Sequence, residues 1–174
     1  MPRTNLKDPT HYRRNLPHIL EPDAPHFVTF KTKEGFRLPE PARDIVFKHC
    51  LHDHNKRLYI HAFVIMPTHA HLLFTPLRDD FGDSYPLSKI MQGIKGTSAR
   101  RVNLLLDQKG SLWQDESLDR VVRDNEYDKT VFYIIENPIA AGLAKVPDEY
   151  RWLWVNPAQP GEAVPHRYNM LPAR

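Results

Sequence analysis

The sequence has only one cysteine, Cys50, among its 174 residues. An intrachain disulfide is therefore excluded, and so is a zinc site built from clustered cysteines. The first residues, MPRTNLKDPTHYRRNLPH, lack the apolar stretch of a signal peptide, and no segment is long and apolar enough to span a bilayer. We therefore expect a cytoplasmic protein of a reducing compartment that does not enter a membrane.

An excess of one charge is also largely missing. The chain has 24 Lys and Arg against 21 Asp and Glu, which gives a formal net charge of +3 and a pI near 9.0. This balance is compatible with nucleic acid but does not by itself indicate it. Because no repeat or linker divides the chain, we predict one domain over 1–174, with an N-terminal arm over about 1–25 and a C-terminal tail over about 146–174.

Apolar periodicity predicts an alternation of strands and helices. The predicted strands are His26–Thr32, Leu58–Met66, His69–Thr75 and Ser117–Val122, and the predicted helices cover about 41–55, 86–108 and 124–137. Pro138 is expected to end the last helix. The order β-α-β-β-α-β-α predicts an α+β fold, in which a ferredoxin-like antiparallel sheet (βαββαβ) carries helices on one face and is followed by a C-terminal helix.

Two histidines, His69 and His71, stand two residues apart in the otherwise apolar stretch FVIMPTHAHLLFTP. Because side chains alternate along a strand, both imidazoles should project from the same face. Either ring alone has an ordinary explanation as a histidine with a hydrogen-bond partner, and the chain contains 10 histidines. Two polar rings on one face nevertheless need partners if they are buried, and one metal ion would satisfy both.

Other chemistries that use paired histidines fit less well. A histidine-triad nucleotide hydrolase would need a third His two positions further on, where Leu73 stands. The second H-x-[ST] motif of a two-motif phosphoesterase and the H-E-x-x-H motif of a zincin are both absent. The pattern that remains is a two-histidine metal site with a third ligand from elsewhere.

The last predicted helix carries a candidate nucleophile, Tyr133. It lies roughly 150° around the helix from the apolar stripe formed by Val131, Ile134 and Ile135. Asn137 follows at i+4, so the phenol and the amide are neighbours on one face. Each residue alone also fits a structural role, as a partly covered tyrosine and as a helix C-cap before proline. Together with the histidine strand they form a coherent hypothesis of a catalytic site.

Four ordered motifs carry a family resemblance: VIMPTHAHLLFTP, GIKGTSARRVN, LWQDESLDRVVRD and YIIENPIAAGL. In this order they resemble the REP-associated tyrosine transposases, a group of the single-tyrosine HUH transposases of bacterial insertion sequences. The resemblance extends from about Tyr12 to about Trp154. The sequence departs from the family at Thr68, where Asn is usual, and at Ala70, where a larger apolar residue is usual.

The resemblance implies a metal-dependent enzyme that nicks and rejoins single-stranded DNA near palindromic hairpins. It implies that Tyr133 is the catalytic tyrosine, which forms a 5′-phosphotyrosine intermediate, and that His69, His71 and Asn137 bind the metal. An oxygen-bearing ligand and a phosphate substrate favour Mg²⁺ or Mn²⁺. Relatives act as monomers or as homodimers, so the oligomeric state and the choice between a tyrosine acting in cis or in trans stay open.

Basic and aromatic residues outside the motif centre are candidate DNA contacts. These are Arg13 and Arg14 in the arm, Lys95, Arg100 and Arg101 on the second long helix, and Trp113 as a base-stacking residue. A solvated helix face and a core tryptophan are the competing interpretations. Asp115 and Glu116 are further candidates for assisting the metal or the phenol.

Two other functions share parts of this pattern. A domesticated, non-catalytic protein would bind DNA hairpins without needing all four predicted site residues. A metal-dependent phosphodiesterase that uses water would need the histidines but not Tyr133.

Overall fold

The computed structural model describes residues 23–157, and within them the chain forms a five-stranded antiparallel sheet with three α-helices. The strands are β1 (His26–Thr32), β2 (Leu58–Ile65), β3 (His69–Pro76), β4 (Trp113–Val121) and β5 (Leu153–Val155). The helices are α1 (Glu40–His52), α2 (Leu87–Leu105) and α3 (Asp124–Ala140). The predicted α+β fold is confirmed. Within 23–157, no helix is long and apolar enough to cross a membrane.

The strand order is β4-β1-β3-β2-β5. The first four strands have the antiparallel arrangement expected from the βαββαβ order. The fifth strand comes from the predicted C-terminal tail and pairs with β2, placing Ala62 opposite Val155. β2 is therefore an internal strand, and β5 covers its outer edge. The described part of the predicted N-terminal arm is limited to residues 23–25.

The two faces of the sheet carry different helices. On one face, Phe63 packs on Phe47 of α1 with ring centroids 4.9 Å apart, and the ring nitrogen of Trp113 donates to Ser98 of α2. We call this the α1/α2 face. On the opposite face, Tyr133 of α3 contacts Phe27 and His71. We call this the α3 face, and it carries the candidate site.

The core lies mainly between the sheet and α1 and α2. Its largest side chains are at most 1% exposed; they include Phe30, Phe63 and Phe74, Leu72 of β3 and Ile90 of α2. Each such side chain contributes about 1.5–3 kcal/mol on burial. This packing holds β1 and β3 rigidly side by side, which fixes the opposite face on which the functional side chains stand.

Several predicted element boundaries differ from the structure, and those of β4 and α3 are among them. The last strand before α3 begins at Trp113 rather than at Ser117, because it continues pairing with β1 past a bulge near Phe30. The last helix does not end at Asn137 but continues to Ala140, with Pro138 inside it. Pro138 removes only one backbone donor, and the following turn is closed by Ala141 N–H donating to the carbonyl of Asn137.

Candidate active site

The two histidines begin β3, directly after a two-residue turn at Pro67 and Thr68. The turn is fixed from outside, since Thr32 donates its N–H and its hydroxyl to the carbonyl of Thr68 at 2.8 and 3.0 Å. The carbonyl of Pro67 accepts from the N–H of Leu38 at 2.7 Å. These bonds hold the start of β3 against β1, so the position of His69 is set by the backbone rather than by its own side chain.

His69 and His71 project from the α3 face as predicted, with ring centroids 4.8 Å apart. His71 is 5% exposed, and its Nδ1 lies 2.7 Å from the hydroxyl of Thr29 on β1. Thr29 and His71 are direct partners in the β1–β3 register. Because this hydrogen bond occupies Nδ1, Nε2 is the nitrogen that remains for a ligand.

His69 is half-buried and meets the helix. Its side chain hydrogen-bonds that of Asn137 on α3, and its Nδ1 lies 3.2 Å from the hydroxyl of Thr68. The predicted histidine and amide ligands, which are 68 positions apart in sequence, therefore touch. The Asn137 side chain and the two imidazoles therefore lie together where α3 packs on β3.

Both imidazoles are held in the neutral form. Burial, together with the positive charges of His69 and Lys31, lowers the pKa of His71 to about 3. Burial also lowers the pKa of His69, an effect partly opposed by the hydrogen bond with Asn137. A neutral imidazole is the form that binds metals, so at neutral pH the pair needs no deprotonation before binding one.

Tyr133 lies at the exposed margin of α3. Its ring is 49% exposed, whereas Ile134 and Ile135 beside it are fully buried against the sheet. The centroid of the Tyr133 ring is 5.2 Å from that of His71, with 69° between the ring planes. Phe27 of β1 supports the same ring from the side at 6.0 Å. The phenol is thus both accessible to a large substrate and adjacent to the histidine pair.

The donor set fits a divalent cation of the Mg²⁺ or Mn²⁺ type. Among residues 23–157, no group of three or more His, Cys, Asp or Glu side chains could hold a metal. A third protein ligand beside His69 and His71 would be of another type, and the side chain that hydrogen-bonds His69 is the amide of Asn137. Two neutral nitrogens and one oxygen leave positions for phosphate oxygens and water.

The predicted DNA contacts are not assembled at this site. Trp113 is 5% exposed, packs edge-on against Phe30 with centroids 4.7 Å apart, and donates its indole N–H to Ser98. Its ring belongs to the core of the α1/α2 face, which favours the interpretation as a core tryptophan over that as a base-stacking residue. The ammonium of Lys95 also has a structural role, since it donates to the carbonyls of Gln114 and Asp115 and to the hydroxyl of Ser117.

The two arginines of α2 are exposed but lie away from the site. Arg101 borders a groove of about 470 Å³ between α1 and α2, together with apolar residues such as Leu104. Arg100 is exposed on the same helix. Because α2 packs on the α1/α2 face, the sheet separates both guanidinium groups from His71 and Tyr133, and their role as DNA contacts stays a prediction. Arg13 and Arg14 lie outside the described residues.

Sequence reasoning missed three residues of β1, which are Phe27, Thr29 and Lys31. All three stand on the α3 face, where they are register partners of Leu73, His71 and His69. The alternation of HFVTFKT shows that these three share a face. It does not show that β1 neighbours β3, and that neighbour relation is what brings them to the histidines.

The protein is thus an α+β domain with a histidine pair on one strand of an antiparallel sheet and an exposed tyrosine on the helix that packs beside the pair. The sequence profile of the family described as "Transposase IS200 like" matches residues 39–137, more than half of the chain. The chain therefore belongs to the IS200-like transposase family, and its role is a transposase-like processing of DNA. No curated protein matches the sequence.

Solved structures with a similar fold include a REP-associated tyrosine transposase bound to a REP hairpin. That chain has 20% sequence identity to this one and a TM-score of 0.63, and the match covers 83% of this chain and 81% of that one. A transposase structure from Deinococcus radiodurans matches with 18% identity and a TM-score of 0.47, over 76% of this chain and 97% of that one. A bacterial tRNA(His) guanylyltransferase-like protein in complex with GTP matches with 13% identity and a TM-score of 0.49, over 74% of this chain and 71% of that one.

Proposed function

We propose that this protein is a metal-dependent DNA strand transferase that nicks and rejoins single-stranded DNA near palindromic hairpins. The observation that carries the proposal is the contact between the Tyr133 and His71 rings, 5.2 Å apart, in a chain whose family processes DNA. The similar transposase is bound to a REP hairpin, and a hairpin of this kind is the substrate class that we propose here.

The cleavage step uses the exposed phenol. Tyr133 Oη attacks the phosphorus of a phosphodiester, a new phosphorus–oxygen bond forms to the tyrosine, and the bond to the 3′-oxygen breaks. The products are a 5′-phosphotyrosine and a free 3′-hydroxyl: the phenol loses its proton to solvent as the ester forms, and the departing 3′-oxygen takes up a proton from solvent. A 3′-hydroxyl attacking the same phosphorus reverses the step, so strands are rejoined without loss of the phosphodiester.

His69, His71 and Asn137 would hold the cation. When bound, Mg²⁺ or Mn²⁺ supplies Lewis-acid polarisation of a phosphate oxygen. Thr29 keeps the His71 ring oriented through Nδ1, and Asn137 links His69 to the helix that carries the nucleophile. The contacts among the four proposed residues within one chain support a tyrosine that acts in cis and a monomer that is sufficient for one cleavage.

The test is a covalent trapping experiment. Labelled single-stranded oligonucleotides that contain hairpins of the host genome are incubated with Mg²⁺ or Mn²⁺ and run on denaturing gels. We expect a DNA–protein adduct that forms with the wild type and is lost in Tyr133→Phe, while hairpin binding is retained. Tyr85→Phe is the matched control, because Tyr85 lies on the loop before α2 and contacts Arg57 rather than the site.

The outcomes separate the three candidate functions. Cleavage that persists in Tyr133→Phe would indicate a hydrolase in which water attacks the phosphate. Hairpin binding without any cleavage by the wild type, on every hairpin and with either metal, would indicate a non-catalytic DNA-binding protein and overturn the proposal.

A further inference from the structure

Lys31 is the exposed basic residue of β1 on the α3 face. It is the direct register partner of His69 in the β1–β3 pair, and residues paired in this way carry their side chains on the same face about 5 Å apart at Cβ. Its positive charge contributes to the lowered pKa values of both His69 and His71. The ammonium is therefore electrostatically coupled to the proposed metal ligands.

The ammonium of Lys31 has no hydrogen-bond or ion-pair partner within residues 23–157. Arg120, the basic residue that β4 places on the same face opposite Phe27, is engaged differently. It donates to the carboxylate of Glu126 at 3.4 Å and to the hydroxyl of Thr130 at 3.2 Å. Of these two cationic side chains, only Lys31 is available for a ligand.

A lone cation beside a metal site has a definite consequence. Its charge repels a divalent cation bound at His69 and His71, so it weakens metal binding by the free protein. The arrangement becomes favourable only when an anion occupies the space between the two positive charges. A phosphodiester oxygen supplies that anion and accepts a charge-assisted hydrogen bond from an ammonium.

We propose that Lys31 binds a non-bridging oxygen of the scissile phosphate, and that it makes binding of metal and of DNA mutually dependent. This inference rests on the proposed function, whose site it completes. Lys31 stabilises the charge that accumulates on the phosphate oxygens as Tyr133 attacks, and it disfavours metal binding in the absence of DNA. The sequence alone does not single out Lys31, because only its pairing with His69 in the sheet brings it to the site.

The test is Lys31→Gln, with Lys33→Gln as the matched control two residues away on an exposed turn. We expect Lys31→Gln to bind Mn²⁺ on the order of three- to tenfold more tightly without DNA, as measured by electron paramagnetic resonance. We expect adduct formation with saturating metal to slow by on the order of 10–100-fold, the effect of losing one charge-assisted hydrogen bond. Lys31→Arg should restore most of the rate.

A third measurement does not depend on cleavage. In EDTA, the affinity for a single-stranded hairpin oligonucleotide is measured as a function of salt, and Lys31→Gln should reduce the slope of log K against log salt by roughly 0.7, the share of one phosphate contact. A purely structural role for Lys31 would lower thermal stability without changing this slope or tightening Mn²⁺ binding.

The results for Lys31 and for the proposed function are distinguishable. A wild type that forms adducts while Lys31→Gln matches it in rate, salt slope and Mn²⁺ affinity overturns the Lys31 proposal and leaves the proposed function intact. A wild type without adducts overturns the proposed function. In that case the salt slope and the Mn²⁺ affinity still decide whether Lys31 contacts phosphate and opposes the metal.

Discussion

The hydrogen bond between Thr29 and His71 can be removed with little change of shape by Thr29→Val. Thr29 is 8% exposed on β1, and its hydroxyl lies 2.7 Å from Nδ1 of His71. Valine has nearly the same volume and favours a strand, so the backbone and the neighbouring contacts should persist. What is lost is the partner that fixes the orientation and the protonated nitrogen of the ring.

The expected effects can be estimated from this geometry. Loss of a residue that orients a metal-binding histidine typically reduces metal affinity or activity by about 10–100-fold. The unpaired, buried Nδ1 should also cost about 1–3 kcal/mol of unfolding free energy. For a chain of this size, each kcal/mol corresponds to a fall in Tm of about 2–4 °C. At 25 °C the variant should therefore stay folded, while its metal affinity or its rate of adduct formation falls by about 10–100-fold.

The assay is Mn²⁺ binding to the purified protein, followed by electron paramagnetic resonance, together with the initial rate of adduct formation. Thr75→Val is the matched control, because Thr75 forms an equivalent threonine–histidine bond on the neighbouring β2–β3 pair, with its hydroxyl 2.9 Å from Nε2 of His61. We expect a similar loss of stability in both variants but weakened metal binding only in Thr29→Val. Unchanged Mn²⁺ affinity in Thr29→Val would refute the assignment of His71 as a metal ligand oriented by Thr29.

Two further predictions concern residues away from the site. Trp113→Phe keeps the contact with Phe30 but loses the hydrogen bond to Ser98. It should therefore lower the unfolding free energy by about 1 kcal/mol in denaturant titrations and leave hairpin binding unchanged. Weaker hairpin binding at equal stability would instead indicate that Trp113 contacts DNA. Cys50 is fully buried, and burial raises the pKa of its thiol. The native protein should therefore resist alkylation and react only when unfolded. Rapid labelling of the native protein would contradict this packing.

Much of the fold followed from apolar patterns, since the bounds of β1 were predicted residue by residue. The patterns failed where a long-range contact decides the structure. The short strand Leu153–Val155 carries too few residues to show alternation, and it forms because the edge of β2 is free to pair. The end of α3 was misplaced for a related reason. Pro138 is buried, so tertiary packing keeps the chain helical beyond a proline that would ordinarily end a helix.

The candidate site was predictable where its residues share one element and not where they come from neighbouring strands. The i, i+2 spacing places His69 and His71 together, and the i, i+4 spacing does the same for Tyr133 and Asn137. The partners from β1 depend on strand order and register, which no single segment encodes. Thr29 therefore looks like an ordinary strand residue until the sheet is assembled.

Strict alternation along β2 predicts that His61 and Phe63 share a face, and the structure separates them. A bulge between Ile60 and Ala62 leaves His61 as an extra residue, so Phe63 turns towards α1 while His61 turns towards α3. There Nδ1 of His61 lies 3.0 Å from the hydroxyl of Tyr127, which precedes Tyr133 on α3 by about 1.7 turns. The bulge that breaks the alternation therefore allows His61 to bind α3 to the sheet. This contact helps to position Tyr133, the proposed nucleophile, beside His71.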